Sequence, residues 1–222
     1  MLLKADGNQR QNTHDVGIYK RIAYRLCTMD TSSIINFCFT GGNCMIHAMI
    51  DLETLSTNPD AVILTIGGVK FNPYTSVIPS QGMYFKVDVD SQTAIGRVVM
   101  QETIDWWTTQ SKEIQEEAMG EKNRIPLTEM IKRINKFAVG VDIFWCQGPL
   151  FDYAILQNIY KQLNHPVPWS FWKIRDSRTL FSLVPRDLDE ERTEAHNALA
   201  DCYFQAKKVQ KVYKQLGIKK PF

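Results

Sequence analysis

From Ile46 to Leu52 apolar residues dominate and polar ones are spaced between them, a pattern that predicts a β-strand. Val62 to Phe71 reads as a second strand, stopped by Asn72-Pro73, and Met83 to Val89 as a third. Their short connections suit antiparallel pairing. After Thr103 the period changes. Apolar residues three and four apart predict helices over Thr103 to Met119 and Thr128 to Phe137. Val141 to Cys146 is a compact apolar run fitting a buried strand, and helices are expected again over Asp152 to Leu163 and Asn197 to Leu216. Three meandering strands followed by alternating helices and strands predict an α/β domain with a mixed sheet. No internal repeat interrupts the order.

The first 44 residues show no sustained period and end in the turn signal Gly41-Gly42-Asn43. The expectation is a poorly patterned extension over residues 1 to 44, a domain over residues 45 to 222, and Met45 as an alternative translation start. A secretory signal is the competing reading, since Lys20, Arg21 and Arg25 precede the apolar Ile34 to Phe39 stretch. Asp30 and Asn36 interrupt it, and the charges lie far from the start.

Composition narrows the class. Over 222 residues, 44% hydrophobic and 23% charged is a globular balance, excluding wholly disordered, collagenous and coiled-coil chains. No apolar run approaches the ~18 to 20 residues of a membrane span, so no membrane partner is expected. The formal net charge of +2 resides in the first 44 residues, where five basic side chains meet three acidic ones. Global basicity therefore carries no argument for nucleic-acid binding. Five cysteines, three of them Cys27, Cys38 and Cys44, form no CxxC pair and no zinc set. A reducing, cytoplasmic compartment is expected.

The chemistry begins on the first strand. Asp51 and Glu53 are two apart, so they share a face about 7 Å apart along the chain, while Ile50 and Leu52 take the other. For an isolated pair, a half-exposed strand with its acids in water is the better explanation. That explanation fails for a central strand covered on both faces, because unpaired buried carboxylates are costly unless a cation or donors meet them. A hard divalent cation would meet both. Asp152 falls near a helix N-terminus, where it either caps the helix or adds an acid to the site. His196 and Asp201 are five apart, about 140° on a helix, and share a site only if His196 lies in the preceding loop.

Taken in order, these residues resemble the DEDDh 3′-5′ exonuclease family. The resemblance rests on Asp51-Leu52-Glu53 on a first strand, Phe151-Asp152 opening a helix, and His196 through Asp201 at the last helix. A narrower likeness, to the phage T4 exonuclease A group, rests on Ile50 to Thr54, Thr103-Ile104-Asp105-Trp106-Trp107, Trp145-Cys146-Gln147-Gly148, Phe151-Asp152 and Ala195-His196. It spans about residues 46 to 215.

The resemblance implies an α/β fold with a ribonuclease H-like mixed β-sheet flanked by helices. It implies a metal-dependent 3′-5′ exonuclease that hydrolyses single-stranded DNA to nucleoside 5′-monophosphates by a two-metal mechanism, in the cytoplasm of a bacterial or phage-infected bacterial cell. Two Mg²⁺ or Mn²⁺ ions ~3.5 to 4 Å apart are implied as cofactors. Asp51 would bridge them, Glu53 and Asp201 would complete the first ion's ligands, Asp152 would hold the second, and His196 would take the proton from the attacking water. Thr54 and Leu55 follow the carboxylates directly, so they are placed to contact the 3′-terminal nucleotide; their alternative role is to end the strand.

Two alternatives stay open. The catalytic set does not inspect the 2′ hydroxyl, so a 3′-5′ exoribonuclease of the same fold fits as well, with single-stranded DNA or RNA 3′ ends as partners. A decayed nucleic-acid-binding module requires the loss of a metal ligand, and all five positions are filled. The family pattern places Asn where this chain has Gly148, which removes a sugar contact from that position. Of the remaining candidates, His47 would lie about 13 Å from Asp51 and reads as structural. One of Trp106 and Trp107 reads as core. Lys207, Lys208, Lys211, Lys214, Lys219 and Lys220 suit a phosphate backbone or a solvated face equally, and Arg175 and Arg178 suit phosphate or local pairing.

Overall fold

The computed structural model describes residues 45–185 and 196–220. The extension expected over residues 1 to 44 lies outside the described residues, as does Ala195. Strands β1 (His47–Thr54), β2 (Ile63–Phe71) and β3 (Ser80–Val87) come first, followed by helices α1 (Val89–Thr93), α2 (Gln101–Thr108) and α3 (Lys112–Met119). Strand β4 (Arg124–Ile125), helix α4 (Leu127–Ala138), strand β5 (Ile143–Cys146) and helix α5 (Asp152–Gln162) come next. The described chain closes with strand β6 (Ile174–Asp176), helix α6 (Ser177–Phe181) and the long helix α7 (Ala198–Gln215).

The strands form one six-stranded sheet in the order β4-β3-β2-β1-β5-β6. β1, β2 and β3 are an antiparallel meander, whereas β5 joins β1 in parallel and β6 joins β5 in parallel. This is the mixed α/β sheet that the hydrophobic pattern predicts, with β1 interior. The helix expected over Thr103 to Met119 is two helices. The chain breaks at Thr109 to Ser111, where the Ser111 hydroxyl accepts the Ile114 N–H at 3.3 Å and caps α3. Strands β4 and β6, of two and three residues, are too short for a period to announce them.

Both faces of β1 are covered. Ala48, Ile50 and Leu52 enter the larger core, beneath Met130, Ile131 and Ile134 of α4 and Ile155, Leu156 and Ile159 of α5. The buried positions of α4 recur at helical spacing, Leu127, Met130, Ile131, Ile134 and Phe137, so one stripe seals that face. Met49, with Val69, Phe71 and Trp145, packs on the other side against Cys202, Ala206 and Val209 of α7. No helix among the described residues is long and apolar enough to cross a membrane.

How closely α7 approaches the sheet is decided at Gly67. A Cβ added there would lie 2.2 Å from both the carbonyl carbon and the carbonyl oxygen of Ala198, the first residue of α7. Those are backbone atoms, so the first turn of the helix would have to move. Gly67→Ala is therefore expected to cost about 1–3 kcal/mol of stability, read by urea unfolding. Stability equal to that of the parent chain would show that the helix does not rest on this glycine.

Candidate active site

Asp51 pairs in register with Gly67 of β2, and Glu53 with Thr65. Alternation places them on the α7 side together with Met49. Immediately beyond Glu53 the register shifts. The Thr54 hydroxyl donates to the Ser56 carbonyl at 2.7 Å, and the Thr54 carbonyl accepts the Trp107 indole N–H at 2.9 Å. The bulge and these two bonds fix the end of the strand that carries both acids.

Asp152 reaches the same place from α5. The pairing of β1 with β5 ends at Met49 and Trp145, which leaves the Leu52 N–H beyond the end of its neighbour. The Asp152 carboxylate accepts that N–H at 3.2 Å. Asp152 thereby ties the start of its helix to β1, and a backbone donor that would otherwise be orphaned is satisfied.

The remaining groups come from the start of α7. His196 sits just before the helix with φ +64°, a left-handed conformation rare for a residue with a Cβ. Asn197 follows as the cap, its side chain accepting the Ala200 N–H at 3.0 Å. Asp201 lies in the first turn that follows, so His196 in the preceding loop and Asp201 on the helix can share a site. The His196 ring meets the Trp106 ring edge to face, with centroids 4.9 Å apart and planes at 84°. Trp107 is buried and Trp106 remains 41% exposed, so one of the pair is core.

Asp51, Glu53, Asp152, His196 and Asp201 line one cleft of about 210 Å³ together with Leu52, Gln147, Phe151, Arg178 and Gln205. One ligand atom from each of Asp51, Glu53 and Asp201 can be chosen so that all lie within 4.8 Å of one another. Burial, then the Asp152, Glu53 and Asp201 charges, push the Asp51 carboxyl well above the ordinary carboxylate range, opposed by the Gln205 amide. Burial raises Asp152 to about 7, against the Leu52 N–H, the Cys146 thiol and the Arg178 charge. The buried thiols of Cys146 and Cys202, which flank these acids, are pushed up as well. Asp51 together with the three acids whose charges raise it, Asp152, Glu53 and Asp201, forms a donor set suited to a hard divalent cation.

Thr54 and Leu55, the two residues expected to contact substrate, do not line the cleft. Leu55 is buried with Val62, Leu64 and Trp107, and the Thr54 hydroxyl is engaged with Ser56; both hold the strand end in place. His47 is structural, its Nδ1 accepting the Trp145 indole N–H at 2.9 Å. Arg178 lines the cleft and donates to the Gln147 carbonyl at 2.9 Å, whereas Arg175 donates to the Trp172 carbonyl at 2.6 Å. Lys208 lies over the Phe181 ring, 4.6 Å from its centroid. Gln205 is a cleft residue that the motifs did not announce. Its position four residues after Asp201, on the same helix face, is the signal that marks it.

A family model describing the 3′-5′ exoribonuclease Rv2179c-like domain matches residues 46–213. Among solved structures, Exonuclease I from Methylocaldum szegediense superposes with a TM-score of 0.57 at 16% identity, covering 79% of this chain and 42% of that one. The zinc-bound E. coli Exonuclease I–ssDNA complex gives 0.59 at 15% identity, covering 78% and 41%. Cell-death related nuclease 4 gives 0.51 at 16% identity, covering 78% and 64%. The chain thus spans less than half the length of the Exonuclease I structures it matches, and these likenesses bear on the fold, which is α/β and ribonuclease H-like. No curated protein matches the chain by sequence. The narrower likeness to the phage T4 exonuclease A group finds no support in these comparisons. With three quarters of its length under that one family model, the chain belongs to the Rv2179c-like 3′-5′ exoribonuclease domain family, a family of 3′-5′ exonuclease hydrolases.

Proposed function

We propose that this chain removes nucleotides from the 3′ end of single-stranded nucleic acid, hydrolysing phosphodiesters to nucleoside 5′-monophosphates with two divalent cations, Mg²⁺ or Mn²⁺. The observation that carries the reading is the meeting of Asp51, Glu53 and Asp201 within 4.8 Å, in a cleft shared with Asp152 and His196. These carboxylates would hold the cations. Bound there, the cations supply activation of water and neutralisation of charge on the leaving 3′ oxygen.

The chain's own groups do the rest. His196, held by Trp106 at the mouth of α7, takes the proton of the attacking water; imidazole suits that work because its ordinary pKa lies near neutrality. Arg178 offers a cation to the phosphate in a cleft otherwise dominated by acids. The family match favours RNA as the substrate, whereas the sequence motifs put single-stranded DNA first. We place the activity in a reducing cytoplasm, which the buried, free Cys146 and Cys202 support.

Incubation of 5′-labelled single-stranded RNA and DNA side by side is expected to give stepwise, cation-dependent shortening, faster on RNA. Internal cuts in a circular strand would overturn the end-directed reading. Asp51→Asn should bind the oligonucleotide yet lose nearly all turnover, because a neutral amide anchors a cation poorly. His196→Ala should lose about 10²- to 10⁴-fold in rate at neutral pH with cation affinity little changed.

The raised carboxyls give a test that needs no substrate. Asp152 holds its proton up to about pH 7 in the fold but releases it near 4 in the unfolded chain. Its contribution to stability is therefore lost as pH rises from about 4 through 7 in the metal-free protein. Buried His47, lowered to about 4, acts in the opposite sense, losing its contribution as pH falls from about 6.5. Comparing each pH with and without Mg²⁺ removes the His47 effect. The cation should raise the melting temperature by several degrees at pH 8 and hardly at all at pH 5, where protons occupy the site. An equal rise at both would count against carboxylate ligation.

We also infer that residues 45 to 222 suffice for the activity. A chain beginning at Met45 should keep its melting temperature and turnover, and a large loss of either would show that residues 1 to 44 belong to the working domain.

A further inference from the structure

Gln205 stands one helical turn beyond Asp201 and is 1% exposed. Its Nε2 donates to Asp51 Oδ1 at 3.1 Å, joining two residues 154 positions apart in the chain. Its Oε1 is buried and has no hydrogen-bond partner among the described residues. The same side chain lines the cleft with Asp51, Glu53, Asp152 and Asp201.

Packing does not explain an amide here. The adjacent α7 residues in the core, Cys202, Ala206 and Val209, are apolar, and the helix's other buried amide, Gln210, donates to the Asn72 and Val77 carbonyls. A Met or Leu at 205 would fill similar space without burying an orphaned carbonyl. Charge excludes the other polar choices. A Lys would neutralise Asp51 and compete with a cation, and a Glu would add a fifth negative charge to a cluster that already repels itself. A neutral amide offers Asp51 a donor and keeps an acceptor in hand. Hard cations such as Mg²⁺ retain several waters when they bind carboxylates, and such waters are donors seeking acceptors.

We propose that Gln205 is a positioning residue of the cation site: its amide N–H fixes the Asp51 carboxylate, and its carbonyl accepts from water that the cation keeps. The inference rests on the metal-dependent reading of the cleft. Partners of this kind orient the ligating groups, and their loss typically weakens metal binding about 10- to 100-fold.

The experiment is a Mn²⁺ titration of the full chain without nucleic acid, with free Mn²⁺ followed by electron paramagnetic resonance. Gln205→Met should bind Mn²⁺ about 10- to 100-fold more weakly than the parent chain. Its circular dichroism should be unchanged, and its metal-free melting temperature equal or higher, because the orphaned carbonyl is gone. On a labelled oligonucleotide, kcat should fall at limiting Mn²⁺ and recover as Mn²⁺ is raised, with KM for the oligonucleotide unaltered. Gln205→Leu repeats the measurement with a second apolar side chain. Parent-like Mn²⁺ affinity in both variants, or a loss of turnover that excess Mn²⁺ does not restore, would overturn the assignment of Gln205. A parent chain that binds no Mn²⁺ would instead overturn the metal reading itself.

Discussion

The closeness of α7 to the sheet at Gly67 is the constraint on which the remaining geometry depends. Gly67 is the register partner of Asp51, so the point where the sheet is thinnest is also the point where the first acid stands. With no Cβ to hold it off, the backbone of Ala198 settles directly on β2. The residues on either side of Ala198 are carried in with it: His196 and Asn197 before, Asp201 and Gln205 after. Next to it, a Cβ on Gly68 would meet the Met83 and Phe137 side chains at 2.9 and 3.1 Å. Two adjacent glycines thus let both layers press close to the centre of the sheet, and the acid cluster follows from that contact.

The cluster works against the fold that builds it. Four carboxylates come together where burial raises the proton affinity of Asp51 and Asp152. Their surroundings answer with fixed donors, the Leu52 N–H to Asp152 and the Gln205 amide to Asp51. Apolar layers on both faces of β1 supply the stability that tolerates this charge. The strained backbone of His196 belongs to the same economy. A left-handed residue held by an aromatic ring and a capped helix costs about 1–3 kcal/mol, and such strain persists only where the surrounding structure over-determines it.

How much of this was legible in the sequence follows from the length scale of each signal. β1, β2 and α4 were readable because each is long enough to complete several periods and has one or two buried faces. The acids Asp51 and Glu53, the Asp152 helix and the His196 to Asp201 spacing were readable as local motifs. Strands β4 and β6 were not, since two or three residues carry no period. The split between α2 and α3 depends on a single serine cap inside an otherwise helical pattern. Thr54 and Leu55 were expected at the substrate because they follow the acids directly, but after Glu53 the register shifts and the Leu55 side chain turns into the core instead of the cleft. For Gln205 the sequence offers only its place four residues after Asp201 on the same helix face; its bond to Asp51 joins α7 to β1, and no local pattern encodes that contact.

The parallel partnership of β1 with β5 also shapes how the chain reaches this state. The bond from the Ile46 N–H to the Asp142 side chain, at 2.9 Å, closes a separation of 96 residues. A meander of β1, β2 and β3 can pair locally, yet one edge of β1 stays open until the chain has passed through four further helices and returned. That edge belongs to a strand with one wholly apolar face, Ala48, Ile50 and Leu52, a template for pairing with another molecule. During synthesis that edge of β1 therefore has no strand partner until β5 has been made. Asp51 and Glu53 on that strand supply the charge that discourages such pairing before they have any partner of their own.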